Sequence, residues 1–65
     1  MLLELSQSEA QDLKQALDGA LQALLEEIAH TDQRAFRKAL RHRYDVLASV
    51  ARRLELSLAS SQVYA

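Results

Sequence analysis

No cysteine occurs in the 65 residues. That excludes a disulfide framework and a thiolate metal site, and leaves packing or a partner to hold a chain this small. There is no proline and a single glycine, Gly19, so few positions force the backbone to break. Aromatic residues are scarce, and none is placed on a polar face where a base could stack. No apolar run is long enough to span a bilayer. Met1-Leu2-Leu3 is followed at once by Glu4, without the basic and apolar regions of a signal peptide, so a soluble, cytoplasmic protein is expected. Nothing resembles a glycine-rich phosphate loop or a strand to carry one. The serines sit at cap positions and in the tail rather than beside a base and an orienting acid. Neither enzymatic activity nor a cofactor is expected.

What is present is mostly alanine, leucine and charge. Apolar residues make up 49% of the chain, and their types favour long helices packed on one another, so the fold class is all-α. The length allows one domain, residues 1–65, which on surface-to-volume scaling buries only about 60% of its unfolded surface. The net charge of −1 hides an asymmetry. Residues 1–32 set seven acids against Lys14, and residues 33–65 set seven bases against Asp45 and Glu55, giving −6 and +5. Two such segments attract when laid side by side, within a chain or between chains, although each exposed pair contributes only ~0–1 kcal/mol.

Leu3 and Leu5 alternate with Glu4 and Ser6, which predicts an extended lead-in over residues 1–6. Ser6 and Glu9 have the spacing of a capping box, with Leu5 placed to fold back as half of a hydrophobic staple toward Ala10. Ala10, Leu13, Leu17, Ala20, Leu21, Leu24 and Ile28 then recur at threes and fours, an amphipathic helix over residues 7–30. Leu25 widens its stripe on one side and Ala16 and Ala23 border the other, as if a second neighbour were needed. Gly19 costs this helix about 1 kcal/mol relative to alanine, and either marks a close approach or is merely tolerated. The pattern fails at His30-Thr31-Asp32-Gln33, where Thr31 or Asp32 can cap a second helix over residues 32–58. A connection this short makes the helices antiparallel neighbours. The second stripe is Phe36, Leu40, Leu47, Val50, Ala51, Leu54 and Leu58, flanked by Ala39, Tyr44 and Val46. Residues 59–65 lose periodicity and are expected to fray.

Arg43 falls on the apolar face, between Phe36 and Leu47. A guanidinium there needs acceptors, because an unpaired buried charge costs several kcal/mol. Folding about residue 31 sets Arg43 opposite Gly19 and Ala20, which leaves room for its stem. Three readings stand open. Arg43 snorkels to a wet edge; or it joins Glu27 and Arg37 in a charge pairing that fixes register or assembly, with Glu27 reaching Arg43 only through a second chain; or it anchors an anionic ligand.

A lone hairpin of this size has more apolar surface than one helix pair covers. Self-association into a four-helix bundle is therefore expected, as a homodimer first and a tetramer second, in an interaction or scaffolding module for a protein partner. The alternative is a nucleic-acid-binding hairpin dimer, because Arg34, Lys38, Arg41 and Arg52 align on one exposed face of the second helix and can follow a phosphate backbone. Small RNA-binding helical-hairpin dimers are similar in length and architecture, but Asp45 interrupts the stripe here. Glu27 and His30 have the Glu-x-x-His spacing of bundle di-metal sites. The centre of the first stripe offers no further glutamates, so no metal is expected.

The residues Leu3, Leu5, Ser6, Leu13, Leu17, Leu21, Leu24, Glu27-Ile28, Thr31-Asp32, Phe36-Arg37, Leu40, Arg43 and Leu47 give the chain an E-I-x-x-T-D-x-x-x-F-R-x-x-L-x-x-R core after an L-x-L-S lead-in. In this it resembles a family of short uncharacterised bacterial helical-hairpin proteins, from Leu3 to about Leu54. The resemblance implies a hairpin and a structural role for Glu27, Thr31, Arg37 and Arg43, and nothing catalytic. Relatives often carry an acid at the position of Tyr44.

Overall fold

The computed structural model describes residues 3–63, with side chains described as far as residue 59. Two helices, α1 (Gln7–His30) and α2 (Arg34–Val63), pack against each other as a hairpin joined by residues 31–33, and no strand is present among the described residues. The molecule measures 48 × 22 × 16 Å, a shape set by helix length, since 30 residues at 1.5 Å each make a rod of about 45 Å.

α1 begins as its sequence dictates. Ser6 is extended (φ −67°, ψ 163°), its Oγ accepts from the Glu9 amide at 3.1 Å, and Glu9 Oε1 accepts from the Ser6 amide at 2.9 Å. Two amides that the first turn would leave without partners are thereby satisfied. Leu5 remains partly exposed beside the cap. At the other end, Nδ1 of His30 donates to the Glu26 carbonyl at 2.7 Å, tying the imidazole back onto the last turn of its own helix.

Thr31 is extended (φ −96°, ψ 136°) and ends α1. The first α2 bond runs from the Arg37 amide to the Gln33 carbonyl at 2.9 Å, so Gln33, rather than Thr31 or Asp32, holds the cap position. α2 therefore starts two residues later than expected. The chain spends residues 31–33 on reversing direction, and Arg37 Nη2 braces that reversal by donating to the Thr31 carbonyl at 2.7 Å. α2 also continues to Val63, past the fraying expected from residue 59. The alanine, serine and glutamine there end an apolar pattern without containing a helix breaker. Residues 1, 2, 64 and 65 of the expected lead-in and tail lie outside the described residues.

The core is thin. Ala10, Leu24, Leu40 and Ala51 are buried, and no described side chain is fully enclosed. All seven apolar stripe residues of α1 turn inward, joined at the edge by half-buried Lys14. On α2, Leu40, Leu47, Ala51, Leu54 and Leu58 turn inward with Tyr44 and Ala48, whereas Phe36 and Val50 do not. The contact line of α2 is thus rotated toward Tyr44 and away from the centre of its apolar stripe. Gly19 is exposed, with nothing within 4 Å of where a Cβ would stand. It does not face Arg43 and makes no room for it.

Candidate functional site

Two exposed faces carry the residues singled out by the sequence. Which residues share a face follows from helix geometry at 100° per residue. On α1, Lys14 and Leu25 lie to one side of the buried stripe, while Ala16, Ala23 and Glu27 lie to the other. On α2, Ala48 and Glu55 flank the contact line on one side; Phe36, Arg43, Val46 and Val50 flank it on the other. Antiparallel packing fixes how these flanks match, because in two antiparallel right-handed helices the flanks at increasing wheel angle from each contact line fall on one side, and Lys14 agrees with it. Its Nζ donates to Asp18 Oδ2 at 2.9 Å, and that bond, then the Asp18 charge and more weakly the charge of Glu55, hold its pKa above the ordinary value despite partial desolvation. Lys14 and Glu55 therefore share one side of the hairpin. Ala16, Ala23 and Glu27 share the opposite side with Phe36, Arg43, Val46 and Val50.

That opposite side is an apolar band with charges set into it. Phe36 is 51% exposed, Val46 48% and Val50 38%, large values for residues that would sit in a core if the chain had more to cover them. Arg43 and Glu27 are both exposed. Among the described residues the ion pairs are Lys14–Asp18 and Arg41–Asp45, the latter at 3.6 Å. Within one chain, then, Arg43 and Glu27 do not meet, and Arg37 is bound to the Thr31 carbonyl instead of to Glu27. The band was foreshadowed at Ala16, Ala23 and Val46. Val50 joins it because α2 is rotated, and Phe36, which shares its azimuth with half-buried Leu54, is exposed beside the turn.

The second face is basic. Arg34, Arg37, Lys38, Arg41 and His42 ring an open groove of about 530 Å³ that also touches Ile28 and Asp45. Asp45 offsets Arg41, so the groove holds a cluster of cations with one carboxylate at its rim. Arg52 is exposed on the same side of α2, about 27 Å along the helix from Arg34 at 1.5 Å per residue. Arg34, Lys38 and Arg41 thus share the groove, to which the fold adds Arg37, while Arg52 is exposed further along the same side and lies outside it.

Glu27 and His30 are exposed, and the Nδ1 of His30 is committed to the Glu26 carbonyl. Among the described residues no three of His, Cys, Asp and Glu come together in a way that would hold a metal ion. Lys14 was not anticipated, although the opposite charges of Lys14 and Asp18 four residues apart were a readable signal. No helix among the described residues is long and apolar enough to cross a membrane.

Comparison with protein families, with curated proteins and with solved structures finds no match.

Proposed function

We propose that the chain is a non-enzymatic helical interaction or scaffolding module that works as a self-associated bundle, a homodimer before a tetramer, in the bacterial cytoplasm. The resemblance of its E-I-x-x-T-D-x-x-x-F-R-x-x-L-x-x-R core to short bacterial hairpin proteins implies a hairpin and nothing catalytic. The observation that carries the reading is the amount of surface left uncovered. The chain exposes 5541 Å², whereas a compact folded monomer of 7.3 kDa exposes about 4,200 Å². Its radius of gyration is 14.4 Å, against about 11 Å for a compact chain of this length. Part of that exposed surface is apolar, with Phe36, Val46 and Val50 on one side of the hairpin. Two chains that reached the compact scaling of a doubled mass would bury on the order of 4,000 Å² between them, within the range of obligate homodimers.

Sedimentation equilibrium over a micromolar concentration series is the test. A dimer mass, with a thermal midpoint that rises with concentration, is expected. A single-chain mass with a cooperative, concentration-independent melt rejects the proposal.

The second reading is a nucleic-acid-binding dimer, and the observation favouring it is the groove ringed by Arg34, Arg37, Lys38 and Arg41. Binding to mixed RNA and DNA at two salt concentrations separates the readings. A phosphate-tracking face gives a complex that weakens steeply with salt, and an interaction module gives none.

A further inference from the structure

Taking the self-association above as its starting point, we infer the arrangement of the dimer: a second copy of this chain lies on the apolar band about a two-fold axis parallel to the helices. Each α1 then rests on the partner's α2, and Glu27 of each chain pairs with the partner's Arg43.

A two-fold axis that stacks this face on itself lies in the plane of contact, and the two simplest choices run along the helices or across them. An axis across the helices lays α2 antiparallel on α2, so the +5 half of each chain faces the +5 half of the other, and an axis at the height of Arg43 sets Arg43 against its own copy and Phe36 against Val50. It also lays α1 on α1, so that the −6 half of each chain faces the −6 half of the other. An axis along the helices lays α1 on α2. Ala16 then stands at the height of Val46 and Val50 and Ala23 near that of Arg43, the −6 half of each chain faces the +5 half of the other, and like charges separate.

The register fits as well. A two-fold rotation about an axis along the helices preserves height, so heights in one chain give heights in the dimer. Folding about residues 31–33 puts Arg43 roughly 8–9 Å further from the turn than Glu27, at 1.5 Å per residue. Helical side chains lean toward their own N-terminus. Arg43 therefore leans toward the turn and Glu27 away from it, and a long guanidinium stem closes most of that distance. Arg43 and Glu27 are exposed in the single chain and form no ion pair among the described residues, so both can pair across the contact. The pair also supplies the acceptor that a guanidinium on an apolar face requires once the face is covered.

The experiment is charge reversal followed by sedimentation equilibrium, with circular dichroism to verify that each variant is helical. Glu27→Arg and Arg43→Glu are each expected to weaken the homodimer by at least about tenfold, because each creates two symmetric like-charge contacts. Mixing the two variants is expected to give a heterodimer that recovers most of that loss. A control mixture of Glu26→Arg with Arg52→Glu makes the same charge changes on outward faces, and is expected to show no such preference. Should a reversed chain fail to fold, Glu27→Gln and Arg43→Gln serve in its place, each weakening the dimer. A wild-type chain that stays single rejects the self-association itself. If the wild type dimerises, then single variants without effect, a control mixture that pairs as strongly, or an Arg43→Gln chain that dimerises more tightly would each overturn this arrangement alone. The last result would favour α2 on α2.

Discussion

Gly19→Ala isolates a single physical effect in this chain. The residue lies well inside α1 (Gln7–His30), its φ is not positive, and an added Cβ meets nothing within 4 Å. Alanine there makes no new contact and relieves no backbone strain. What remains is the difference in helix propensity, about 0.8–1 kcal/mol in favour of alanine, part of it from the smaller entropy of the unfolded chain. For a domain of this size that raises the thermal midpoint by roughly 4–8 °C. The same substitution leaves the proposed dimer contact untouched, because Gly19 points away from both α2 and the band of Phe36 and Val50. The measurement is thermal unfolding by circular dichroism at matched protein concentration, alongside self-association by sedimentation. A midpoint that fails to rise, or a dimer that weakens, would refute the reasoning. Either result means that another backbone approaches Gly19 closely, as a second copy packed on the outer side of α1 would.

Ser6→Ala removes the side-chain acceptor of the capping box and is expected to cost about 1 kcal/mol, read from chemical denaturation. Glu9→Gln preserves the reciprocal bond to the Ser6 amide but removes a titration. The bonds from Ser6 hold the Glu9 pKa below its ordinary value near 4.5. Its contribution is therefore fully present above that value and is lost as the pH falls through the lower folded value. The wild type should lose stability relative to Glu9→Gln over that acidic window, and parallel pH curves would contradict it. Leu40→Ala empties one of the few buried positions and should cost about 2–5 kcal/mol, enough to unfold much of a marginal hairpin. Phe36→Ala should leave the helicity of the single chain nearly unchanged and weaken self-association. Arg43→Ala is expected to disturb assembly more than Arg41→Ala, which forfeits only an exposed pair to Asp45 worth a few tenths of a kcal/mol; equal, negligible effects would place Arg43 outside any contact.

The first helix was legible almost residue by residue. Its cap is a two-residue signal, and its apolar stripe is narrow enough that a single rotation about the axis buries all of it. The second helix was legible as a helix but not in its orientation. Its apolar and small residues spread from Val46 through Arg43 and Phe36 to Tyr44, wider than one helix can cover, and periodicity cannot say which part of so wide a stripe meets α1. The cap at Gln33 was hidden for another reason. Thr31 and Asp32 are better capping residues, but Thr31 ends α1 and the reversal occupies residues 31–33, so the first turn of α2 closes onto Gln33. The basic groove was half legible, because the wheel aligns Arg34, Lys38 and Arg41, whereas Arg37 joins them only once it is anchored on the Thr31 carbonyl.

The rotation of α2 and the exposed band are one fact seen from two sides. Had α2 met α1 along the centre of its own stripe, Phe36 and Val50 would point into the hairpin and Arg43, which lies between them, would be carried in as well. No acid stands at the centre of the α1 stripe to receive it, and an unpaired guanidinium in the core costs more than two half-covered apolar side chains contribute. Turning toward Tyr44 and Ala48 puts Arg43 in water, at the expense of leaving Phe36, Val46 and Val50 with it. Arg43→Leu removes the reason for the rotation, so α2 should turn back, Phe36 and Val50 should gain protection from solvent, and the single chain should become more stable while its tendency to pair falls. Hydrogen exchange and sedimentation on that one variant read both effects, and a leucine chain that pairs more tightly without added stability would show that the orientation of α2 is set by something other than Arg43.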